Sequence, residues 1–219
     1  MGNIINFNRY GRGPRRKKMY LFILLFAVGG FALALVLGGV TRIPVTYALI
    51  IMNAIVFGLV RLGRVQVSEL GTSYGHSIYD KEYYRIVTAA FTHKEVWHII
   101  MNMYSLYNLG SVLEPMVSSE RFVTMYIVIM LLGGLLSLII HKKHGPFTLA
   151  IGASGVLCGL MGVYIVIVVV LVGLSGIRYF APTLICLGIM CLSKRIDNIG
   201  HLAGLIIGIG YGLCLIGLK

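Results

Sequence analysis

Apolar residues run along this chain in seven blocks, 20–40, 44–61, 97–113, 121–141, 152–173, 177–192 and 200–218, broken mostly by short polar stretches. Blocks approaching about 20 residues predict helices that cross a bilayer, because only a helix satisfies its backbone internally in lipid. The exception among the connections is 62–96, which carries Arg64, Glu69, Asp80, Lys81, Glu82, Arg85, Lys94 and Glu95. Within it the amphipathic run Tyr83, Tyr84, Arg85, Ile86, Val87 predicts a structured loop lying at the membrane interface. The organisation expected is a basic segment at 1–19, a first helix at 20–40, and a helical core over 44–218. Because Arg15, Arg16, Lys17 and Lys18 precede the first block, it also has the flanks of a secretory signal. Its length and the lack of a small-x-small cleavage site before Thr41 favour a retained helix.

Composition narrows the class. Of 219 residues, 58% are hydrophobic and 12% charged, whereas a soluble surface needs roughly a quarter to a third charged residues. This excludes sandwiches, Rossmann domains and disordered tails, and leaves an all-α polytopic membrane protein. The net charge is +12, and six of the 19 basic residues lie within Arg9–Lys18, ahead of the first block. Such a cluster reports topology; no soluble nucleic-acid module exists outside the apolar segments. With every block spanning, the amino terminus shares its face with loops 62–96, 142–151 and 193–199. The positive-inside rule places that basic face in the cytoplasm. The four cysteines, Cys158, Cys186, Cys191 and Cys214, fall inside apolar blocks and read as small core residues without zinc-site or disulfide spacing.

Glycine spacing brings two blocks together. Gly200, Gly204, Gly208 and Gly212 recur every fourth residue in the last block, and Gly152, Gly155, Gly159 and Gly162 form a similar stripe in the fifth. Small-xxx-small faces allow two helices to approach closely, as generic packing or to set up a site. Polar groups inside spans are expensive and are functional candidates by default. Ser154 and His201 each stand near the start of one of these two blocks, at the same membrane face and beside the stripe. There His201 can serve as general base to a nucleophilic Ser154. His98 and Asn102, four residues apart on one helix face, can donate to an oxyanion together with the Ser154 N–H, or can simply bond helix to helix. Asp197, four residues before His201, can orient it but reads more simply as a helix cap with Asn198.

Other membrane chemistries lack their residues. His93, Glu95 and His98 do not form H-E-x-x-H, neither Asp80 nor Asp197 lies inside a span, and Pro182 has no matching break in a second segment. Zinc proteolysis, intramembrane aspartyl proteolysis and secondary transport are thereby unsupported.

Three motifs in order carry a family resemblance. They are His98-Ile99-Ile100-Met101-Asn102, preceded by Phe91-Thr92-His93 and followed by Gly110 and Glu114; Gly152-Ala153-Ser154-Gly155; and Gly200-His201-Leu202-Ala203-Gly204. Over about 44–218 the chain resembles the rhomboid intramembrane serine proteases. The resemblance implies a six-helix rhomboid core plus one extra N-terminal transmembrane helix. It implies Ser154 as nucleophile, His201 as base, His98, Asn102 and Ser154 at the oxyanion hole, and supporting roles for Gly152, Gly155, Gly204 and Arg85. It also implies transmembrane protein substrates met in the lipid bilayer, with no metal or organic cofactor.

Three features depart from the family pattern. Tyr84 stands where tryptophan usually precedes Arg85, Cys158 where an aromatic often packs on the histidine, and 20–40 precedes the usual first core helix. Most family members open their active site outward on the side of the long loop, opposite to the positive-inside count, so orientation stays open. A bacterial plasma membrane is expected, and a client-binding pseudoenzyme and a small transporter are the rival functions.

Overall fold

The computed structural model describes residues 14–191 and 197–217. In chain order they form α1 (Pro14–Gly38), α2 (Pro44–Arg61), α3 (Val67–Leu70), a π-type turn at Gly75–Tyr79, α4 (Arg85–Phe91), α5 (Val96–Val117), α6 (Ser119–His144), α7 (Ser154–Val172), a 3-10 segment at Leu174–Phe180, α8 (Ala181–Cys191) and α9 (Asn198–Gly217). Strand pairing among the described residues is limited to one antiparallel bridge, Thr72 with Ala150. Pro44 occupies the first position of α2, where its missing N–H costs nothing. Pro115 lies in the last turn of α5, and Ser118, at φ +78°, is the only residue between α5 and α6.

Among the described residues, helices α1, α2, α6, α7 and α9 are long and apolar enough to cross a membrane. The protein is therefore an integral, multi-pass membrane protein with an all-α fold. Two of the seven expected spans differ. Helix α5 has the length, 22 residues, but His98, Asn102, Ser105 and Glu114 make it too polar to count as an apolar span. The last three are buried, so the helix turns its polar side into the bundle. The block at 177–192 is divided between the 3-10 segment and the 11-residue α8, with Pro182 at the second position of α8. Neither piece alone has the roughly 20 residues of a span.

The centre of the bundle is the contact of α7 with α9. A Cβ placed on Gly204 or Gly208 would run into the carbonyl of Gly155 or Gly159, and one on Gly155 would lie 3.2 Å from the Gly200 oxygen. The pairs climb together along both helices, so the two run parallel. Gly152 is not part of this seam: it precedes α7, and its missing Cβ faces the ring of His98. On the far side of α9, Gly133 of α6 meets Gly204 backbone, its virtual Cβ 3.3 Å from the Gly204 Cα. Around this seam lie Leu106, Leu109 and Leu113 of α5, Phe122, Met125 and Ile129 of α6, and Leu157 and Leu160 of α7, all buried.

Glu114, near the end of α5, is buried and fully used. Its Oε1 accepts from the Val45 N–H at 2.9 Å and the Ser119 hydroxyl at 2.7 Å, and its Oε2 from the Thr46 N–H at 2.8 Å and Thr46 hydroxyl at 2.6 Å. The carboxylate thus meets the orphan donors and positive dipole end of α2, while bonding to the first residue of α6.

Loop 62–96 is structured, as its pattern predicts. Arg85 is buried, pairs with Glu82 at 2.6 Å, and donates from Nη1 to the carbonyls of Ser68 at 2.7 Å and Gly71 at 2.8 Å. Helix α1 stands outside the bundle with 6% of its span buried. Met52 fills a notch at Gly30, Phe26 meets Phe91 edge to face, and Tyr20 meets Tyr84 likewise. Cys158 is buried, but Cys214 is exposed on the outer face of α9, so the core reading of the cysteines fails there. The side chains of Cys186 and Cys191, most of the basic segment 1–19, and residues 192–196 and 218 lie outside the described residues.

Two measurements test this packing by thermal unfolding in detergent. Gly208→Val inserts atoms where the Gly159 backbone stands and is expected to cost at least about 1–3 kcal/mol; a wild-type melting temperature would reject the seam. Glu114→Ala removes the acceptor of donors on Val45, Thr46 and Ser119 and is expected to cost about 1–3 kcal/mol for each donor left unsatisfied, more than any single exposed substitution on α1.

Candidate active site

Because the seam is parallel and starts at one membrane face, the first turns of α7 and α9 lie side by side. Ser154 is the first residue of α7 and His201 lies in the first turn of α9. Both are buried, and His201 Nε2 stands 2.7 Å from Ser154 Oγ. Ala153 caps α7 without a side-chain bond, which leaves the Ser154 N–H among the helix's orphan donors.

The turn ahead of Ser154 is fastened from several directions. Ala150 and Thr72 exchange hydrogen bonds at 2.8 and 3.0 Å, and the Gly152 N–H donates to the Ala89 carbonyl at 2.8 Å. Gly152 itself adopts φ +105°, and a Cβ there would sit 2.7 Å from His98 Nε2; both the conformation and the space require glycine. The Ala153 N–H reaches His93 Nε2 in a long bond of 3.4 Å. Farther out, the Gly75 N–H donates to the Pro146 carbonyl at 2.6 Å while Phe147 covers Gly75 and His76.

A cleft of about 80 Å³ opens beside the pair, lined by Ala89, Gly133, Ser137, Gly152, Asp197 and Gly200 as well as Ser154 and His201. That is room for several waters at about 10–15 Å³ each. A second gap, about 20 Å³ between α1, α2 and α4, is apolar and far from these groups.

The expected site residues separate into those at the cleft and those behind it. Ser154, His201, Gly152 and Gly155 line the cleft, and the His98 ring stands behind it against Gly152. Asn102 is wholly buried: its Nδ2 donates to the His98 carbonyl at 2.8 Å, and its Oδ1 has no partner among the described residues. Gly204 lies one turn past His201 in the seam, and Arg85 braces the loop from beneath rather than touching the pair.

Ser137 and His141 carry no assignment from sequence, whereas Asp197 reads as a cap able to orient His201. Asp197 caps α9, but its carboxylate also meets His141 Nε2 at 2.7 Å and Ser137 Oγ at 3.4 Å. Ser137 and His141 are polar groups four apart in an apolar block, the same signal that singled out His98 and Asn102.

His93 is another residue without an assignment from sequence. Its ring is fully buried with the His98 ring 4.9 Å away, edge to face. Burial, and then the neighbouring His98, push its pKa down to about 3. With the Ala153 N–H directed at Nε2, neutral His93 holds its proton on Nδ1.

A polytopic helical membrane protein with a buried serine–histidine pair beside a cleft large enough for water is the class defined so far. Residues 80–218 match the family model of the rhomboid domain, and the chain belongs to the rhomboid family. Over 123 residues it is 32% identical to rhomboid protein 1, mitochondrial, of Saccharomyces cerevisiae, covering 54% of this chain and 35% of that protein. Over 177 residues it is 28% identical to the rhomboid protease GluP of Bacillus subtilis, covering 74% and 33%. Over 147 residues it is 25% identical to the rhomboid-like protease 3 of Toxoplasma gondii, covering 64% and 54%. The matches thus span about a third of the length of the first two relatives and half of the third. Relatives bearing the name protease identify the family as one of membrane proteases.

The state of His93 predicts acid sensitivity. Between its ordinary value of 6.5 and about 3, the unfolded chain takes up a proton that the folded protein refuses, so stability falls as pH drops through that window. Unfolding measured from pH 7 to 4 should lose up to about 1.4 kcal/mol per pH unit more in wild type than in His93→Gln. Superimposable pH dependences would refute it.

Proposed function

We propose that this protein is an intramembrane serine endopeptidase that cleaves peptide bonds in or near the transmembrane segments of membrane proteins. The observation that carries the reading is the 2.7 Å contact between Ser154 Oγ and His201 Nε2, at the start of two helices too tightly packed to separate. An aliphatic hydroxyl is a poor nucleophile until a base within such reach removes its proton.

In this mechanism Ser154 Oγ attacks the scissile carbonyl carbon as its proton passes to His201 Nε2. The carbonyl oxygen becomes negative and is met by the Ser154 N–H, by His98 over Gly152, and by the Asn102 amide after it leaves the His98 carbonyl. The imidazolium then protonates the leaving amine, and the C–N bond breaks to give an acyl-enzyme. A water from the cleft attacks that ester; His201 takes its proton and returns it to Ser154.

A substrate helix presents no free backbone to this chemistry, so residues that unwind it near the membrane face favour cleavage. Neither metal nor cofactor has a part in the scheme. Bacterial plasma membrane is the proposed location, although the matched relatives include a mitochondrial protein.

Ser154→Ala is expected to lower cleavage of a transmembrane reporter in proteoliposomes by at least about 10³-fold and to abolish labelling by a fluorophosphonate probe, with melting temperature retained. Wild-type cleavage by folded Ser154→Ala protein would end the assignment. Absence of labelling in folded wild-type protein would favour a client-binding role.

A further inference from the structure

Asp197 begins α9 in two ways. Its main-chain carbonyl accepts the His201 N–H at 3.2 Å, and its Oδ1 accepts the Gly200 N–H at 3.0 Å. The second contact is the familiar side-chain cap, in which a carboxylate satisfies an orphan donor and faces the positive end of the helix dipole. A cap at a helix end facing solvent leaves its remaining lone pairs to water. Here α6 takes them: His141 Nε2 lies 2.7 Å from Oδ1, and the Ser137 hydroxyl donates to Oδ2 at 3.4 Å. Ser137 and His141 are both buried, one turn apart on α6.

At the opening turns of α9 the closest other contacts are backbone contacts, while Leu205, Ile207, Tyr211 and Leu215 pack on the core farther along. The seam with α7 and the meeting of Gly133 with Gly204 set how near the helices come. Glycine surfaces lack the interlocking side-chain ridges that resist rotation and sliding. A hydrogen bond between His201 and Ser154 tolerates only a few tenths of an ångström of such movement.

We infer that Asp197, gripped by His141 and Ser137, is a positioning residue that fixes the rotation and height of the first turn of α9, and with them the distance from His201 to Ser154. The inference rests on the reading of Ser154 and His201 as the reacting pair. Its carboxylate bonds to Gly200, His141 and Ser137, so it works through the backbone of α9.

The test uses the full-length protein in proteoliposomes, with cleavage of a transmembrane reporter, fluorophosphonate labelling rate and thermal unfolding read in parallel. Asp197→Ala and His141→Ala are expected to lower kcat and labelling rate about 10- to 100-fold, with KM held within about twofold. Asp197→Asn keeps both a capping oxygen and an acceptor for His141, and His141→Gln keeps a donor nitrogen; each should recover most of the loss. Thr46→Val breaks a contact to Glu114 far from the cleft and is the control: it should lower the melting temperature and leave kcat unchanged.

Three outcomes would overturn the inference while leaving the serine–histidine reading intact. They are wild-type kcat in both alanine variants, no recovery in the conservative variants, or a kcat loss in Thr46→Val matching its loss of stability. Folded wild-type protein that neither cleaves nor labels would remove the reading itself and this inference with it.

Discussion

Backbone against backbone, without a side chain between, is the contact on which the rest of this protein depends. Lipid provides no hydrophobic drive to press two helices together, so close association must come from dispersion between surfaces that fit. Gly155 and Gly159 on α7, facing Gly204 and Gly208 on α9, supply that fit. Since the seam is parallel, it also decides chemistry: residues just ahead of the paired glycines Gly155 and Gly204 on the two helices must arrive at similar depth. Ser154 and His201 are those residues.

A seam of that kind needs its ends held, and the fold holds them with hydrogen bonds. Glu114 joins the close of α5 to the opening of α2 and the start of α6. Thr72, Ala89 and His93 hold the turn before Ser154. At both places buried polar atoms are matched to the free N–H groups of helix or turn, the arrangement that makes polarity affordable inside a bilayer. Polar groups are therefore concentrated at helix ends and on the inward face of α5, while lipid meets apolar side chains.

Much of this was legible in sequence because membrane spans obey a simple length and polarity rule. The helices α1, α2, α6, α7 and α9 follow from it, and the glycine spacing pointed to the α7–α9 contact. The block at 177–192 misled because hydropathy does not register the break near Pro182. Helix α5 was legible as the block at 97–113, although its inward polar face lowers an average hydropathy that has no way to represent direction. At the candidate site, Ser154, His201 and His98 were legible as motif members. The Ser137–His141–Asp197 contact joins residues about 60 apart in sequence, and only the packing of α6 on α9 creates it. Gly152 was read as part of a stripe, whereas its φ and its closeness to His98 give it a separate task.

The position of α1 has a different consequence. With almost none of its span buried, this helix answers to the solvent properties of lipid more than to any neighbour. Outside its contacts at Tyr20, Phe26 and Gly30, an apolar residue of comparable length serves as well as the one present. The molecule is thus divided into a region whose residues are interchangeable within a class and a seam where one methyl group is too many. Under mutation the two should drift at very different rates, with α1 losing its spelling long before α7 and α9 lose theirs.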